Sequence, residues 1–367
     1  MRPEDYFSPD YATARQRFRA AAESAGAERI SLSLAARGPD AGPLSIDIAW
    51  CGDRSARRAL LHTSGLHGVE AFAGSAVQIA ALMTARTVPP DCALVLVHVL
   101  NPYGMAWLRR ANENNVDLNR NFFLKGTRHA DDDAGTLYDR LDTLLNPPSP
   151  PAADFFKLRL LCCAARHGPR QLQQAIAQGQ YRYPRGLFYG GRELAPGPAS
   201  YLDWLARNLG HADYLMALDL HTGLGGHGKS LLMAEPGLGV TSEHALSTAL
   251  GQPLVALATD ASRPYRVTGS MGAALPGVLP RARIDFVLQE IGTYGPLSIL
   301  AALRDENRWH HHGSGGLDHP AKHALLEALC PSPPAWRIQA LENGLAALRA
   351  AAAWTFEGER NADKDGE

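Results

Sequence analysis

Two short stretches hold the side chains best suited to chemistry: Leu66-His67-Gly68-Val69-Glu70 and Asp219-Leu220-His221-Thr222-Gly223. Imidazole nitrogen and carboxylate oxygen both ligate Zn2+. A catalytic zinc site takes three protein ligands and keeps one position open for water. His67 and Glu70 stand three residues apart, so a single turn can bring both to one ion. His221 is a candidate third ligand arriving from far along the chain, and Asp219 beside it is a candidate for orienting an imidazole. Glu290 closes a third stretch, Arg283 to Gln289, where a carboxylate can take a proton from metal-bound water. A fourth, Asn115 to Phe122, carries Arg120 between the amides of Asn119 and Asn121. Guanidinium is the side chain best shaped to grip a carboxylate with two parallel hydrogen bonds.

The elements before these stretches explain how they could meet. Ala59 to Ser64 is an apolar run that reads as a buried strand ahead of His67. Tyr214 to Leu218 is another, ahead of Asp219 and His221. In open α/β sheets, ligand sites gather at the carboxyl ends of strands. Further strands are expected at Ser45 to Cys51, Ala93 to Val99, 230–234 and 283–290. Helices are expected at 8–25, Phe72 to Ala85, Asp154 to Gln178, Leu194 to Leu209, 296–311 and 335–354. The alternation predicts an α/β fold, a single domain over residues 1–355. Its mostly parallel or mixed twisted sheet would carry helices on both faces. Asn146-Pro147-Pro148-Ser149-Pro150-Pro151 is a breaker within that domain, because candidate site residues lie on both sides of it. Tyr181 to Gly191 reads as a loop over the site, and 356–367 as a polar, flexible tail.

These pieces, in this order, resemble the zinc metallocarboxypeptidase (funnelin) family. The matching pieces are His67-Gly68-Val69-Glu70, Asn101-Pro102-Tyr103-Gly104, Asp117 to Phe122, Asp219 to Gly223 and Gln289-Glu290. More narrowly, the chain is similar to a bacterial carboxypeptidase-like branch of unknown function. The resemblance implies His67, Glu70 and His221 as ligands of one Zn2+ and Glu290 as general base. It implies Asn119 and Arg120 as the clamp on the substrate's terminal carboxylate. An arginine that polarises the scissile carbonyl is also implied. Arg109 and Arg110 both qualify, and Arg110-Ala111-Asn112 matches the family's Arg-x-Asn spacing. The family's mobile tyrosine has no counterpart in Gly269 to Leu275; Tyr265 and Tyr294 are the nearest substitutes.

The activity implied is hydrolysis of an amide bond next to a free carboxylate. The first form is a carboxypeptidase acting on short peptides. The second is a deacylase acting on N-acyl amino acids with the same metal chemistry. A non-catalytic protein that binds a peptide or carboxylate is the reading from another class. It predicts loss of a ligand or of the base, yet all four residues are present. Two histidines and a carboxylate also accept Co2+ or Mn2+.

Composition narrows the setting. The chain has 367 residues, 46% hydrophobic and 20% charged, which suits an ordinary globular protein. A net charge of −1 gives no reason to expect nucleic acid or an acidic membrane as partner. Five cysteines without framework spacing favour reduced thiols and a cytoplasmic setting. The first residues lack the apolar core of a leader, and no apolar run approaches the ~20 residues of a membrane span.

Three conspicuous clusters have plainer readings. His310-His311-His312 follows a helical pattern in which neighbours face different ways, so a solvated surface is expected. Asp131-Asp132-Asp133 is expected to be a solvated loop, and Cys162-Cys163 a piece of core. Arg120 could instead pair with Asp117, and Glu290 with Arg281 or Arg283.

Overall fold

The computed structural model describes residues 2–84, 87–124, 136–234, 240–256 and 267–357. Its strands are β1 (Glu28–Arg37), β2 (Pro43–Gly52), β3 (Arg58–Ser64), β4 (Cys92–His98), β5 (Tyr214–Gly223), β6 (Ser230–Ala234), β7 (Leu254–Ala256) and β8 (Arg283–Gly292). They form one sheet in the order β1-β2-β4-β3-β5-β8-β6-β7. The centre, β4-β3-β5-β8, is parallel. β2 lies antiparallel to β4, and β6 antiparallel to β8. The expected mixed α/β sheet is therefore present, with helices on both faces.

Alternation along the strands splits the core in two, because successive side chains point to opposite faces. Leu61 on β3, Leu215 and Ala217 on β5, and Phe286 and Leu288 on β8 face the helices Pro196–Leu209 and Met271–Val278. Leu60, Met216, Leu218 and Val287 face the other way. There they pack on the helices Tyr11–Ser24, Ala71–Met83 and Pro334–Glu357. Burial of both faces is what calls for near-continuous apolar runs in the central strands.

Several elements differ from expectation. β1 and β7 were not expected, nor were the helices Leu137–Leu145, Val240–Ala249, Met271–Val278 and Pro320–Leu329. The single helix expected over 154–178 is two, Phe156–His167 and Pro169–Ala177. Gly168 at φ 84° breaks it, and Pro169 starts the second helix where its missing N–H does no harm. Cys162 is exposed and Cys163 half-buried on this pair, so the expected core position is corrected. The run Leu160 to Ala165 is apolar all round, but the helix packs on one side only. His310, His311 and His312 are half-buried rather than solvated, because the last turn of Pro296–His312 packs inward. Asp131 to Asp133, Tyr265 and residues 358–367 lie outside the described residues. Among the described residues, no helix is long and apolar enough to cross a membrane.

Candidate metal centre

The side of the sheet carrying Leu61, Ala217 and Leu288 changes character toward the carboxyl ends of its strands. Two residues beyond Ala217 comes Asp219, then His221; two residues beyond Leu288 comes Glu290. In the β5–β8 register His221 lies directly opposite Glu290, and in the β3–β5 register Thr63 lies opposite Asp219. One strand period thus turns an apolar face into a row of acid, imidazole and hydroxyl.

His67 and Glu70 come from the turn after β3. Gly65 leaves the strand at φ 68°, a conformation open to glycine. Gly68 sits against Gly104, where an added Cβ would stand 2.0 Å from the carbonyl carbon. This close approach pins the turn to the segment after β4. The Gly68 and Val69 amides donate to the Arg110 and Arg109 carbonyls at 3.2 and 3.0 Å. His67, Glu70 and the Arg109–Arg110 backbone are therefore placed as one unit.

His67, Glu70 and His221 converge, each offering one ligand atom within 4.8 Å of the others. The His67 and His221 Nδ1 atoms are 3.1 Å apart. Glu70 Oε1 is 2.9 Å from the first, and Oε2 is 3.1 Å from the second. A tetrahedral zinc with bonds of ~2.0–2.1 Å needs donors about 3.3 Å apart, so the two nitrogens and the Glu70 carboxylate are spaced to share an ion. The far nitrogens are already committed. His221 Nε2 pairs with Asp219 at 2.7 Å, and His67 Nε2 with Asp117 at 3.2 Å. Asp219 favours the His221 tautomer that leaves Nδ1 bare for a metal, whereas His67 Nε2 meets both the Asp117 carboxylate and an Arg110 N–H donor. Asp219 is itself held by the Thr63 hydroxyl at 2.6 Å, and Asp117 by the Asn119 amide at 3.1 Å.

Electrostatics follow from this packing. Burial opposes charge on His221, but Asp219 and Glu70 outweigh it and hold the imidazolium well above its ordinary range. Burial likewise opposes charge on Asp117, and Arg110, Arg120 and His67 hold that carboxyl well below its usual range. Glu290 goes the other way: burial, with the Glu70 charge nearby, raises it to about 7 against the pull of His221. Its Oε2 accepts from the Leu224 amide at 3.2 Å. Arg283 opens β8 and Glu290 stands near its end, so the structure does not bring these two together.

The candidate arginines take three different places. Arg110 reaches Asp117 at 3.0 Å, Glu70 at 3.2 Å and His67 Nε2 at 2.7 Å, with Phe188 beneath its guanidinium. Arg120 donates to the backbone carbonyls of Ala177 and Asn119. It forms no ion pair among the described residues, so Asp117 pairs with Arg110 instead. Arg109 turns away into the protein, pairing with Glu306 at 2.9 Å and Asn115 at 2.8 Å. A cavity of about 820 Å3 gathers His67, Glu70, His221, Glu290, Arg110, Asn119 and Arg120 in its lining, and Arg109 is not among them. Tyr294 also stands apart, its hydroxyl donating to Glu327 at 2.7 Å. Sequence reasoning missed Asp117 as partner of His67 and Phe188 as the platform for both site arginines. The one available signal was Asp117's place just ahead of Asn119 and Arg120.

Fold and site together define a carboxypeptidase-like α/β chain with a candidate two-histidine, one-carboxylate metal centre. Residues 7–343 match the family described as a protein of unknown function, DUF2817, and the chain belongs to that family. Bovine thrombin-activatable fibrinolysis inhibitor, solved with tick carboxypeptidase inhibitor, is 11% identical with a TM-score of 0.54, over 96% of this chain and 99% of that one. Carboxypeptidase A from Helicoverpa armigera is 13% identical with a TM-score of 0.50, over 94% of this chain and 73% of that one. At such identities the likeness shows a shared fold. No curated protein matches the chain.

Proposed function

We propose that this protein is a zinc-dependent hydrolase that cleaves an amide bond next to a free carboxylate, in its first form a carboxypeptidase acting on short peptides. The observation that carries this reading is the convergence of His67, Glu70 and His221 in one cavity with Glu290 and Arg120. The catalytic domain is taken as residues 1–355.

His67 Nδ1, His221 Nδ1 and one Glu70 oxygen would hold the ion. Bound there, zinc lowers the pKa of a water molecule toward ~7 and polarises a carbonyl. Glu290 accepts the proton of the attacking water and returns it to the leaving amine. A carboxyl raised to about 7 is matched to both steps near neutral pH. Arg110 lies against the ligand set, where its charge faces an oxyanion formed on the attacked carbonyl. Arg120, tied only to carbonyls, keeps its positive charge for the substrate carboxylate, with Asn119 beside it. Anchoring that end turns binding energy into orientation of the amide. Arg109 is committed to Glu306 and is read as structural.

The test is zinc content and amide hydrolysis on one preparation, with and without chelator, using short peptides and N-acyl amino acids. One zinc per chain with chelator-sensitive cleavage is expected. Glu290→Gln should keep the metal and lose turnover by at least ~10²-fold, the lower range for a general base. Absence of metal after reconstitution, or near-normal hydrolysis by Glu290→Gln, would overturn the reading.

A further inference from the structure

The cavity is charged at one end and mainly apolar elsewhere, with Gln173, Thr268 and Ser270 among its uncharged polar residues. Its volume of about 820 Å3 lies near the top of the ~300–1,000 Å3 range of small-molecule sites. Over it sits the pair of helices broken at Gly168-Pro169, which acts as a roof. Leu160, Leu161, Leu172 and Ile176 of the roof line the cavity together with Leu297 and Leu300 of Pro296–His312, which pack against the roof's apolar cluster. The roof's far end is anchored at the charged centre, because the Ala177 carbonyl accepts from Arg120. The apolar surface therefore begins beside the arginine clamp and runs away from it.

That lining also continues outward. Leu161 belongs to the cavity yet is 57% exposed, and Leu158 and Phe155 beyond it are 60% and 78% exposed. The same pair of helices carries Lys157, Arg159, Arg166 and Arg170, and no acidic residue from 156 to 178. An apolar chamber with an arginine at its inner end, under helices that carry four cations, suits an anion with a long apolar body. Positive surface of this kind raises the rate at which anions arrive.

Under the roof itself, a peptide finds few partners. Each of its amides needs a hydrogen-bond partner once buried, and among the roof residues lining the cavity only Gln173 has a polar side chain. An alkyl chain asks for no partner and gains from every methylene removed from water. We propose that the site takes N-acyl amino acids with long aliphatic acyl chains, the chain lying under the roof and the amino-acid carboxylate on Arg120. Water gives its hydroxyl to the acyl carbon and its proton to the nitrogen as the C–N bond breaks. The products are a long-chain carboxylic acid and a free amino acid. The chemistry rests on the amide-hydrolase reading above, whereas the ligand class rests on the chamber.

The experiment uses N-acetyl-, N-octanoyl-, N-dodecanoyl- and N-hexadecanoyl-leucine, each below its micelle threshold. Hydrolysis is measured on zinc-loaded protein, and calorimetric binding on zinc-loaded Glu290→Gln. Both kcat/KM and affinity should rise about fourfold per added methylene, equal to about 0.8 kcal/mol, until the chamber is full. Replacing Leu172 with glutamine should flatten that slope. Flat chain-length dependence in both measurements overturns the inference and leaves the hydrolase reading standing. Affinity that rises with chain length without hydrolysis by wild type supports the ligand class and overturns the hydrolase reading. N-acetyl-leucine or a short peptide handled as well as the dodecanoyl compound also overturns the inference.

Discussion

Arg109 and Arg110 are adjacent in sequence and serve two different regions. Arg109 enters a buried cluster outside the cavity lining. There Glu306 takes hydrogen bonds from Arg109 at 2.9 Å and from Lys322 at 2.6 Å, while Asn115 and Asn307 take further ones from Arg109. Arg110 enters the candidate metal centre and keeps one edge open to the cavity, with its side chain 17% exposed. The same side chain chemistry thus yields scaffold in one place and site in the other. The difference lies in what surrounds each guanidinium. A fully enclosed network has no opening through which a ligand can reach it, whereas a half-open one has.

The comparison breaks most visibly through stability. Removing one partner of a buried ion pair strands the others and costs about 3–5 kcal/mol. Arg109→Met should therefore lower unfolding stability by that amount in urea, with KM nearly unchanged. If it instead raised KM while stability held, Arg109 would belong to the site. Arg110→Met should do the reverse. Loss of a charge aimed at a developing oxyanion lowers kcat by about 10²–10³-fold, while urea stability should fall by less than in Arg109→Met, because solvent reaches the site and can hydrate the Asp117 and Glu70 carboxylates left behind. If both substitutions destabilised the protein equally, the division between scaffold and site would fall.

A smaller effect sharpens the site half of the comparison. Asp219 holds the His221 tautomer from 2.7 Å without reaching the ion. Asp219→Asn should weaken zinc affinity by about 10–100-fold, as loss of such partners does elsewhere. Competition with a chromophoric chelator measures it. Unchanged affinity would mean that Thr63 and the strand register alone orient the ring.

What could be read in the sequence follows the same division. His67, Glu70, His221 and Glu290 each sit at or just past the end of an apolar run, so local pattern alone placed them at strand ends. The choice between Arg109 and Arg110 was not local, since Arg109's partner Glu306 lies on a helix that folds back from far along the chain. A motif spacing favoured Arg110, but nothing in that spacing reveals where Arg109 goes. The roof was misread for a related reason. Leu160 to Ala165 is apolar all round, which pattern reads as burial, whereas this helix exposes Leu161 and Cys162 beside a cavity. β1 was passed over although Ile30, Leu32 and Leu34 alternate with Ser31 and Ser33, because it is an edge strand with only partial burial. Its register with β2 supplies what its own composition leaves weak.

Histidines extend the comparison across the sheet. Asp219 and Glu70 raise the pKa of His221, whereas His62 and His98 lie on the opposite face, among the helices. His62 meets Gln78 at 3.1 Å and His98 meets the Ser75 hydroxyl at 2.9 Å, with Phe18 stacked 4.4 Å away. Burial pushes each of them down to about 4. A base with a depressed folded pKa takes up its proton in the unfolded chain first. Between about pH 6.5 and pH 4 the unfolded state therefore binds more protons, and stability falls as pH falls. Each histidine should contribute about 1.4 kcal/mol per pH unit in that window and nothing above it. Glu290, raised to about 7, pulls the other way in the same window, and His310 and His311 are depressed as well, so the share of one histidine is read as the difference between wild type and a variant in urea unfolding at pH 7, 6 and 5 on metal-free protein. His98→Phe keeps the packing on Phe18 and removes one titrating group. Its stability should fall less steeply from pH 6 to 5 than that of wild type, by roughly the share of one histidine. Equal slopes would show that His98 is protonated without penalty in the fold. The two faces of the sheet would then not differ in how they treat a buried imidazole.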